Sequence, residues 1–139
     1  MKVWKKLFIF VFPLFLLVLF FSWHGVYINT RIEEHGCSSS YRRYVVPRFL
    51  CQKVTSNHCP TTEFYKLNAE RETALCLCDI YLESPDEEIA KSIVGKCDKG
   101  CQSIIMNMSL SSGVSKDSLE NADFLCKNRE EVFPQLYID

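Results

Sequence analysis

The stretch that decides the fold is Leu75-Cys76-Leu77-Cys78, near the middle of the 139-residue chain. It lies inside a helix-like pattern of apolar residues, and an α-helix turns about 100° per residue. The side chains of Cys76 and Cys78 should therefore point about 200° apart and should not bond each other. We predict a central helix from which two disulfides reach two different neighbouring elements.

The other cysteines surround this stretch, and all eight follow an apolar N-terminal segment. An even number of cysteines in a short, export-like chain is typical of disulfides formed in an oxidising compartment. Structural zinc sites usually contain Cys-x2-Cys pairs, and the sequence has none. We therefore predict four disulfides and no metal site, with the pairing left open. The cysteines are Cys37, Cys51, Cys59, Cys76, Cys78, Cys97, Cys101 and Cys126.

Cys97 and Cys101 are four residues apart, which places them on one face of a helix. The Cβ atoms of such a pair are about 5–6 Å apart, whereas a disulfide needs about 3.5–4.5 Å. This spacing predicts that each of the two cysteines bonds to another element rather than to its neighbour.

Residues 1–28 form an export signal. Lys2, Lys5 and Lys6 precede an apolar run from Leu7 to Phe21, and uncharged residues continue it to Ile28. This run is at the upper length for a signal peptide and, when extended, is long enough to cross a membrane. The lysines place the N-terminus in the cytoplasm. Residues 7–28 are thus the predicted membrane contact.

Cleavage of this segment would need small residues one and three positions before the cut. Ser22 has Phe20 two positions before it, and Gly25 has Trp23. This pattern favours an uncleaved signal-anchor over a signal peptide. The protein is expected to be a single-pass membrane protein of the secretory pathway, with its C-terminal domain outside the cytosol; secretion is the alternative.

The predicted fold is all-α. It is a small disulfide-stapled bundle of four or five short helices behind one N-terminal membrane segment. We expect residues 29–46 to form a stalk or loop, residues 47–128 the cysteine-rich helical domain, and residues 129–139 a tail that either drapes over the domain or is free. Arg42 and Arg43, an adjacent basic pair, are expected in a solvated turn.

Local signals set the expected helices. Tyr44-Val45-Val46 should be extended because Pro47 disfavours helix before it, and a short helix should follow to Val54. A longer helix should run from about Glu63 to Leu82. In Ser84-Pro85-Asp86-Glu87, Ser84 is expected to cap the next helix and Glu87 to complete a capping box, and Gly95 to end that helix.

Two further helices complete the prediction. One carries Cys97 and Cys101 and continues to about Met108. The last has Ser115 or Ser118 as its cap and carries Cys126.

The sequence offers little support for an enzyme. A nucleophile–base–orienter set needs a reactive Ser or Cys with a histidine and a carboxylate, and the cysteines are better explained as disulfides. The histidines, His24, His35 and His58, are widely separated along the sequence. The phosphate-binding, zinc-protease and nucleophile-elbow motifs are absent. We predict a non-enzymatic protein without a cofactor.

Charge disfavours nucleic acid as a partner. After the three N-terminal lysines, 13 basic residues face 17 acidic ones, a net charge of −4. A domain with this balance has no overall basic excess to attract phosphates.

Asn107-Met108-Ser109 is a glycosylation sequon, which is plausible in a luminal chain, although a motif this short also occurs by chance.

The order of the cysteines resembles the CFEM domain of fungal extracellular membrane proteins. Three separated cysteines are followed by Cys76-x-Cys78, then Cys97-x3-Cys101, then Cys126. The order matches that family, but several spacings are longer. The resemblance implies a helical, secreted or membrane-tethered domain. Some members of that family bind haem through an aspartate shortly after the third cysteine, and Glu63 occupies that place here.

Two functions follow from these observations. The first is a membrane-tethered, cysteine-rich helical domain outside the cytosol that acts through contacts with a protein partner. The alternative is a secreted or tethered carrier of an apolar ligand, haem or lipid, with Glu63 as the possible haem ligand.

Overall fold

The computed structural model describes residues 2–55, 58–112 and 118–134. These residues form seven helices and one two-stranded sheet, and they divide into two compact units. The first unit contains the residues up to Thr30 together with Tyr41–Lys66, and the second contains Arg31–Ser40 and the described residues from Leu67 to Pro134. The elements are α1 Lys2–His24, β1 Val26–Glu34, β2 Cys37–Val46, α2 Phe49–Val54, α3 Thr62–Glu83, α4 Glu87–Gly95, α5 Lys99–Ser112, α6 Ser118–Lys127 and α7 Arg129–Val132.

The prediction of a mainly helical, disulfide-rich chain with one N-terminal apolar helix is confirmed, but the prediction of a purely α fold is wrong. Residues 29–46 are not a stalk or loop, because they belong to the hairpin of β1 and β2. Arg42 and Arg43 accordingly lie in β2 rather than in a turn.

Helix α1 is long and apolar enough to cross a membrane, as Val3–His24 spans 22 residues. At 1.5 Å per residue this is roughly 33 Å, close to the thickness of a bilayer's hydrocarbon core. Its end is fixed within the first unit. Ser22 is buried, α1 packs against α2, and Gly25 joins the helix directly to β1.

Gly25 has a backbone φ of +67°, which side-chain-bearing residues rarely adopt. A Cβ atom at this position would lie 2.6 Å from Cγ of Arg48 and 2.8 Å from the carbonyl oxygen of Val46. Two independent reasons therefore require glycine at this position: the backbone conformation and the close approach of the end of β2. The connection between α1 and the hairpin is a packed joint.

The hairpin turns through only two residues, His35 and Gly36, which have φ of 49° and 87°. Positive φ at both central residues is the type I′ geometry that matches the natural twist of two antiparallel strands. A two-residue loop fixes the register, so Val26 lies opposite Val45, and Ile28 lies opposite Arg43.

Helix α3 is the centre of the second unit, as predicted. Cys76 bonds Cys37 at the start of β2, and Cys78 bonds Cys126 in α6. The two bonds leave opposite sides of one helix and hold two different elements, which confirms the prediction made from their spacing. The first unit has its own disulfide, Cys51–Cys59.

Between these bonds the second unit has a compact apolar core. The largest fully buried apolar side chains come from α3, α4, α6 and α7: Leu77, Ile93, Leu125 and Val132. The buried hydroxyls of Ser39 and Thr73 are paired, since they lie 2.7 Å apart and both contact the carbonyl oxygen of Ala69. The Tyr81 hydroxyl donates to the carbonyl oxygen of Leu119, 3.0 Å away.

The prediction for Cys97 and Cys101 is wrong, because they bond each other. Helix α5 begins only at Lys99, so Cys97 lies before the helix. The distance between Cys97 and Cys101 is therefore not set by the spacing of residues along a helix. The Cα atoms are 5.2 Å apart, within the usual range for a disulfide.

The predicted start of α4 is also shifted. The cap is Asp86, whose carboxylate accepts hydrogen bonds from the backbone N–H groups of Glu88 and Ile89 at 2.9 and 3.2 Å. Ser84 instead ends α3, since its N–H donates to the carbonyl oxygen of Ile80. The charged cap is favoured because it also faces the positive end of the helix dipole.

The predicted helix that carries Cys126 is α6, and Ser118 is its first residue rather than a cap before it. The alternative cap, Ser115, lies outside the described residues. The first part of the predicted tail, 129–139, is structured, because Arg129–Val132 forms α7. Val132 and Phe133 are buried in the core of the second unit. Residues 135–139 lie outside the described part of the chain.

The two buried disulfides of the second unit, Cys78–Cys126 and Cys97–Cys101, should contribute unequally to stability. They join residues 48 and 4 positions apart. The loop-entropy relation gives about 4 kcal/mol for the long loop and about 2 kcal/mol for the short one. We expect the double change Cys78→Ala/Cys126→Ala to lower the free energy of unfolding about twice as much as Cys97→Ala/Cys101→Ala.

Urea unfolding of both double variants measures this difference. The short-loop variant is the matched control, since it also replaces two buried half-cystines. Equal losses would show that packing around the sulfurs, rather than loop closure, determines the contribution of these bonds.

Candidate interaction surfaces

A cluster of tyrosines and arginines lies in the first unit, and we call it the tyrosine–arginine cluster. Its rings form a chain, since the Tyr27 and Tyr44 centroids are 5.6 Å apart and those of Tyr44 and Tyr65 are 6.2 Å apart. The Arg42 guanidinium lies 4.8 Å from the centre of the Tyr27 ring and 5.6 Å from that of Tyr65. Arg48 lies 5.6 Å from the Tyr44 ring and donates to its hydroxyl.

The electrostatics of this cluster depend on the Tyr65 ring remaining neutral. Burial, and then the neighbouring Tyr44, raise the pKa of Tyr65 above its ordinary value of 10.0. A neutral phenol presents a negative π-face to a cation, so the contacts with Arg42 are cation–π contacts at physiological pH. The backbone N–H of Tyr44 also donates to the Thr62 hydroxyl at 2.9 Å, which fixes the first turn of α3 to β2.

Charge is strongly segregated between the units. Residues 41–66 carry five basic and one acidic side chain, a net +4, whereas Arg31–Ser40 and Leu67–Leu136 carry eight basic and fifteen acidic ones, a net −7. The net charge of −4 of the chain after its three N-terminal lysines therefore combines this basic segment with a strongly acidic second unit. Each unit can attract partners of a different sign.

The most acidic exposed run of the second unit connects α3 to α4. All seven residues from 82 to 88 are exposed, and four of them are acidic. Leu82 keeps 47% of its surface exposed at the start of this run. Lys91 lies 3.2 and 3.3 Å from the carboxylates of Glu87 and Glu88, so one cation offsets only part of the charge.

An ion pair fastens the tip of the hairpin to the end of α4. Lys96 Nζ lies 2.6 Å from Glu34 Oε2, and both side chains are largely shielded, with 14% and 28% of their surface exposed. The hydrogen bond from Lys96, and then one from Ser92, lower the pKa of Glu34 below its ordinary value of 4.5 against the opposing effect of burial.

A second ion pair is more deeply buried and holds α3 to the start of α5. Arg71 interrupts the apolar stripe of α3, and its Nη2 donates to Oδ2 of Asp98 at 2.8 Å. The other oxygen of Asp98 accepts from the backbone N–H of Cys101 at 2.8 Å. Asp98 therefore both neutralises a largely buried guanidinium and caps α5, the helix that contains Cys101.

The residues singled out in the sequence occupy separate places. Glu63 is exposed in the first turn of α3, and Asn107 is exposed on α5. Both assignments, haem ligand and glycosylation site, stay predictions. His24 ends α1, His35 lies in the hairpin turn, and His58 is exposed beside Cys59.

All eight cysteines form disulfides, as predicted. Among the residues with described positions, no group of three or more His, Cys, Asp or Glu side chains is arranged to hold a metal ion.

Sequence reasoning missed the tyrosine–arginine cluster. The only signal for it was the recurrence of Tyr and Arg between residues 27 and 65, because the pairs meet through strand register and through α3.

Comparisons of the chain with family models, with curated protein sequences and with solved structures each found no match. The resemblance to the CFEM domain therefore stays a prediction that rests on the order of the cysteines.

Asp98 allows its two roles to be separated by substitution. Asp98→Asn keeps an oxygen for the Cys101 N–H but removes the charge, whereas Asp98→Ala removes both. A lost cap costs about 1 kcal/mol. A buried charge left without its partner costs about 3–5 kcal/mol. We expect both variants to be clearly destabilised, with Asp98→Ala the worse by about 1 kcal/mol in urea unfolding.

The control adds Arg71→Met, which fills the same space without a charge. It should recover most of the loss in the Asp98→Asn background. If Arg71→Met recovers nothing, the pair does not carry the buried charge that we assign to it.

The lowered pKa of Glu34 makes part of the stability acid-sensitive. The ionised form is favoured in the folded state, so its contribution is complete above the ordinary value of 4.5 and is lost as the pH falls through the lowered pKa. Unfolding free energies should therefore fall less steeply between about pH 6 and pH 3 in Glu34→Gln than in the wild type. Glu33→Gln, an exposed neighbour, is the matched control. Equal slopes for Glu34→Gln and the wild type would contradict the assignment.

Proposed function

We propose that the protein is a single-pass membrane protein whose disulfide-bonded domain lies outside the cytosol and acts through contacts with a protein partner. One observation carries the proposal: the apolar helix α1 passes through a single residue, Gly25, into a domain closed by four disulfides. An apolar helix of this length suits a bilayer, and the disulfides suit an oxidising compartment.

Packing at the end of α1 supports an uncleaved anchor. Ser22 is 5% exposed, and the helix end contacts α2. Removal of residues 1–28 would expose this contact surface and would also remove Val26, Tyr27 and Ile28 from β1. A segment that takes part in the fold in this way is better explained as an anchor than as a cleaved signal peptide.

The charge of the second unit supports protein contacts of a particular kind. Its net charge of −7 and the exposed run from 82 to 88 would steer a partner with a basic surface towards it. Such association is weakened by salt, because surface charges more than about 8–10 Å apart are screened at physiological ionic strength.

The anchor is tested on the full chain expressed in a secretory host. Alkaline extraction should leave the protein in the membrane pellet, and mass spectrometry should find an intact N-terminal segment. External protease should reach the domain on intact cells, which places it outside the cytosol. A soluble product that begins between residues 22 and 30 would overturn the anchor.

The contact surface is tested in the same cells by a carboxyl–amine crosslinker, because an acidic surface bound to a basic one brings the reacting groups together. Wild type should give a discrete larger product, and the double variant Glu83→Gln/Glu87→Gln should give less of it. Glu70→Gln/Glu72→Gln on α3 is the control with the same change in charge. Haem absorbance or extractable lipid in the purified chain, without a crosslinked product, would favour the carrier instead.

A further inference from the structure

The hairpin presents one uncovered apolar face next to the end of α1, and we call it the basal face. It consists of Val26, Ile28, Arg43 and Val45, which lie on one side of the sheet because side chains alternate along each strand. All four are exposed; Val26, Ile28 and Val45 keep 38%, 52% and 62% of their surface accessible. The opposite side carries Tyr27, Arg42 and Tyr44, which pack on one another.

We propose that the basal face lies against the phospholipids of the membrane that α1 spans, with the three apolar side chains at the level of the glycerol groups and Arg43 on a lipid phosphate. The inference rests on the proposed function, since it requires α1 to stay in the membrane. It adds a second, peripheral contact between the domain and the bilayer.

Continuity with the membrane helix is the first argument. Val26 and Ile28 follow His24, the end of α1, by two and four residues. At about 3.3 Å per residue they cannot lie more than roughly 7 and 13 Å from it. The headgroup region of a bilayer extends about 5–7 Å beyond the hydrocarbon core. The base of the strand therefore begins within the interfacial layer.

Rigidity of the joint is the second argument. The packing around Gly25 places the backbone of Val46 and the side chain of Arg48 within 3 Å of a Cβ at that position. The hairpin base cannot swing on this joint as it could on a flexible linker. Trp23 and Tyr27, on either side of Gly25, are 39% and 44% exposed and are the residue types that favour the membrane–water interface.

Charge complementarity is the third argument. Residues 41–66 have a net charge of +4, and Arg43 is exposed opposite Ile28 within the apolar face. The long arginine stem can lie along apolar surface while its guanidinium reaches a phosphate, which it binds with two parallel hydrogen bonds. An apolar face with one arginine fits lipid better than it fits water.

The test places a tryptophan on the basal face of the full chain. The background is Trp4→Phe/Trp23→Phe, which removes the natural tryptophans, and Val45→Trp is added to it. Val45 is exposed, and tryptophan is favoured in strands, so the change is compatible with the fold. The matched control is Asn29→Trp, exposed on the opposite side of β1. Both are reconstituted in phosphatidylcholine vesicles with ordinary or brominated acyl chains.

The proposal predicts that brominated lipid quenches the tryptophan introduced at position 45 about twofold more than the one at position 29, and that iodide in the buffer quenches them in the reverse order. Adding Arg43→Glu to Val45→Trp should lower the quenching by brominated lipid. Strong iodide quenching at position 45 would overturn the proposal. Shielding from both quenchers would also overturn it, since a second copy or a partner protein would then cover the face.

Failure of the anchor is distinguished by the single variant Trp23→Phe, which keeps Trp4 in α1. Quenching of Trp4 by brominated lipid shows that α1 is in the membrane. If Trp4 is quenched and position 45 is not, the anchor stands and the basal face does not touch lipid. If neither is quenched, the proposed function fails first.

Discussion

The second unit depends on two disulfides that leave opposite sides of one helix. Cys76 and Cys78 are separated by a single residue, yet one holds the hairpin and the other holds α6. Because α3 is rigid between them, each bond fixes its element at a defined angle around the helix. The core then forms between these elements, with Leu77, the residue between the two cysteines, completely buried.

The same unit uses ion pairs where apolar contacts do not reach. Glu34 with Lys96 holds the hairpin tip to α4, and Arg71 with Asp98 holds α3 to α5. Partly buried pairs of this kind are directional and cost desolvation, so they define geometry more than they add stability. A unit of this size with short helices gains from such positional restraint, because its apolar core is small.

Sequence reasoning succeeded where a local pattern had one physical meaning. The 100° step of a helix settled the roles of Cys76 and Cys78, and the apolar run identified α1. It failed for the hairpin although β1 does alternate, with Val26, Ile28 and Ile32 on one side of the strand, because the charged residues of this stretch were interpreted as a stalk. The turn residues His35 and Gly36 are also a less usual choice for a type I′ turn than Asn-Gly.

The candidate surfaces were less predictable than the fold. Arg42 meets Tyr27 and Tyr65 only through strand pairing and the position of α3, which no local signal shows. The error at Cys97 and Cys101 has a similar origin. Their spacing was interpreted with helical geometry, but that geometry applies only from Lys99 onwards. Sequence patterns place the ends of a helix only to within a few residues, and that uncertainty was enough to make the predicted pairing of Cys97 and Cys101 wrong.

The nesting of the disulfides has a consequence for biosynthesis. In the proposed topology the segment that follows α1 enters the oxidising compartment first, so that Cys51 and Cys59 can close a short loop and Cys37 can meet Cys76 while the C-terminal half is still being made. Cys78 must wait for Cys126, 48 residues later, which takes about 2–10 s at the usual rate of synthesis. Meanwhile Cys97 and Cys101 emerge and can bond each other, which removes them as competitors. Vectorial emergence thus favours the native pairing, and the long-lived thiol of Cys78 is the point at which an exchange with an oxidoreductase would act.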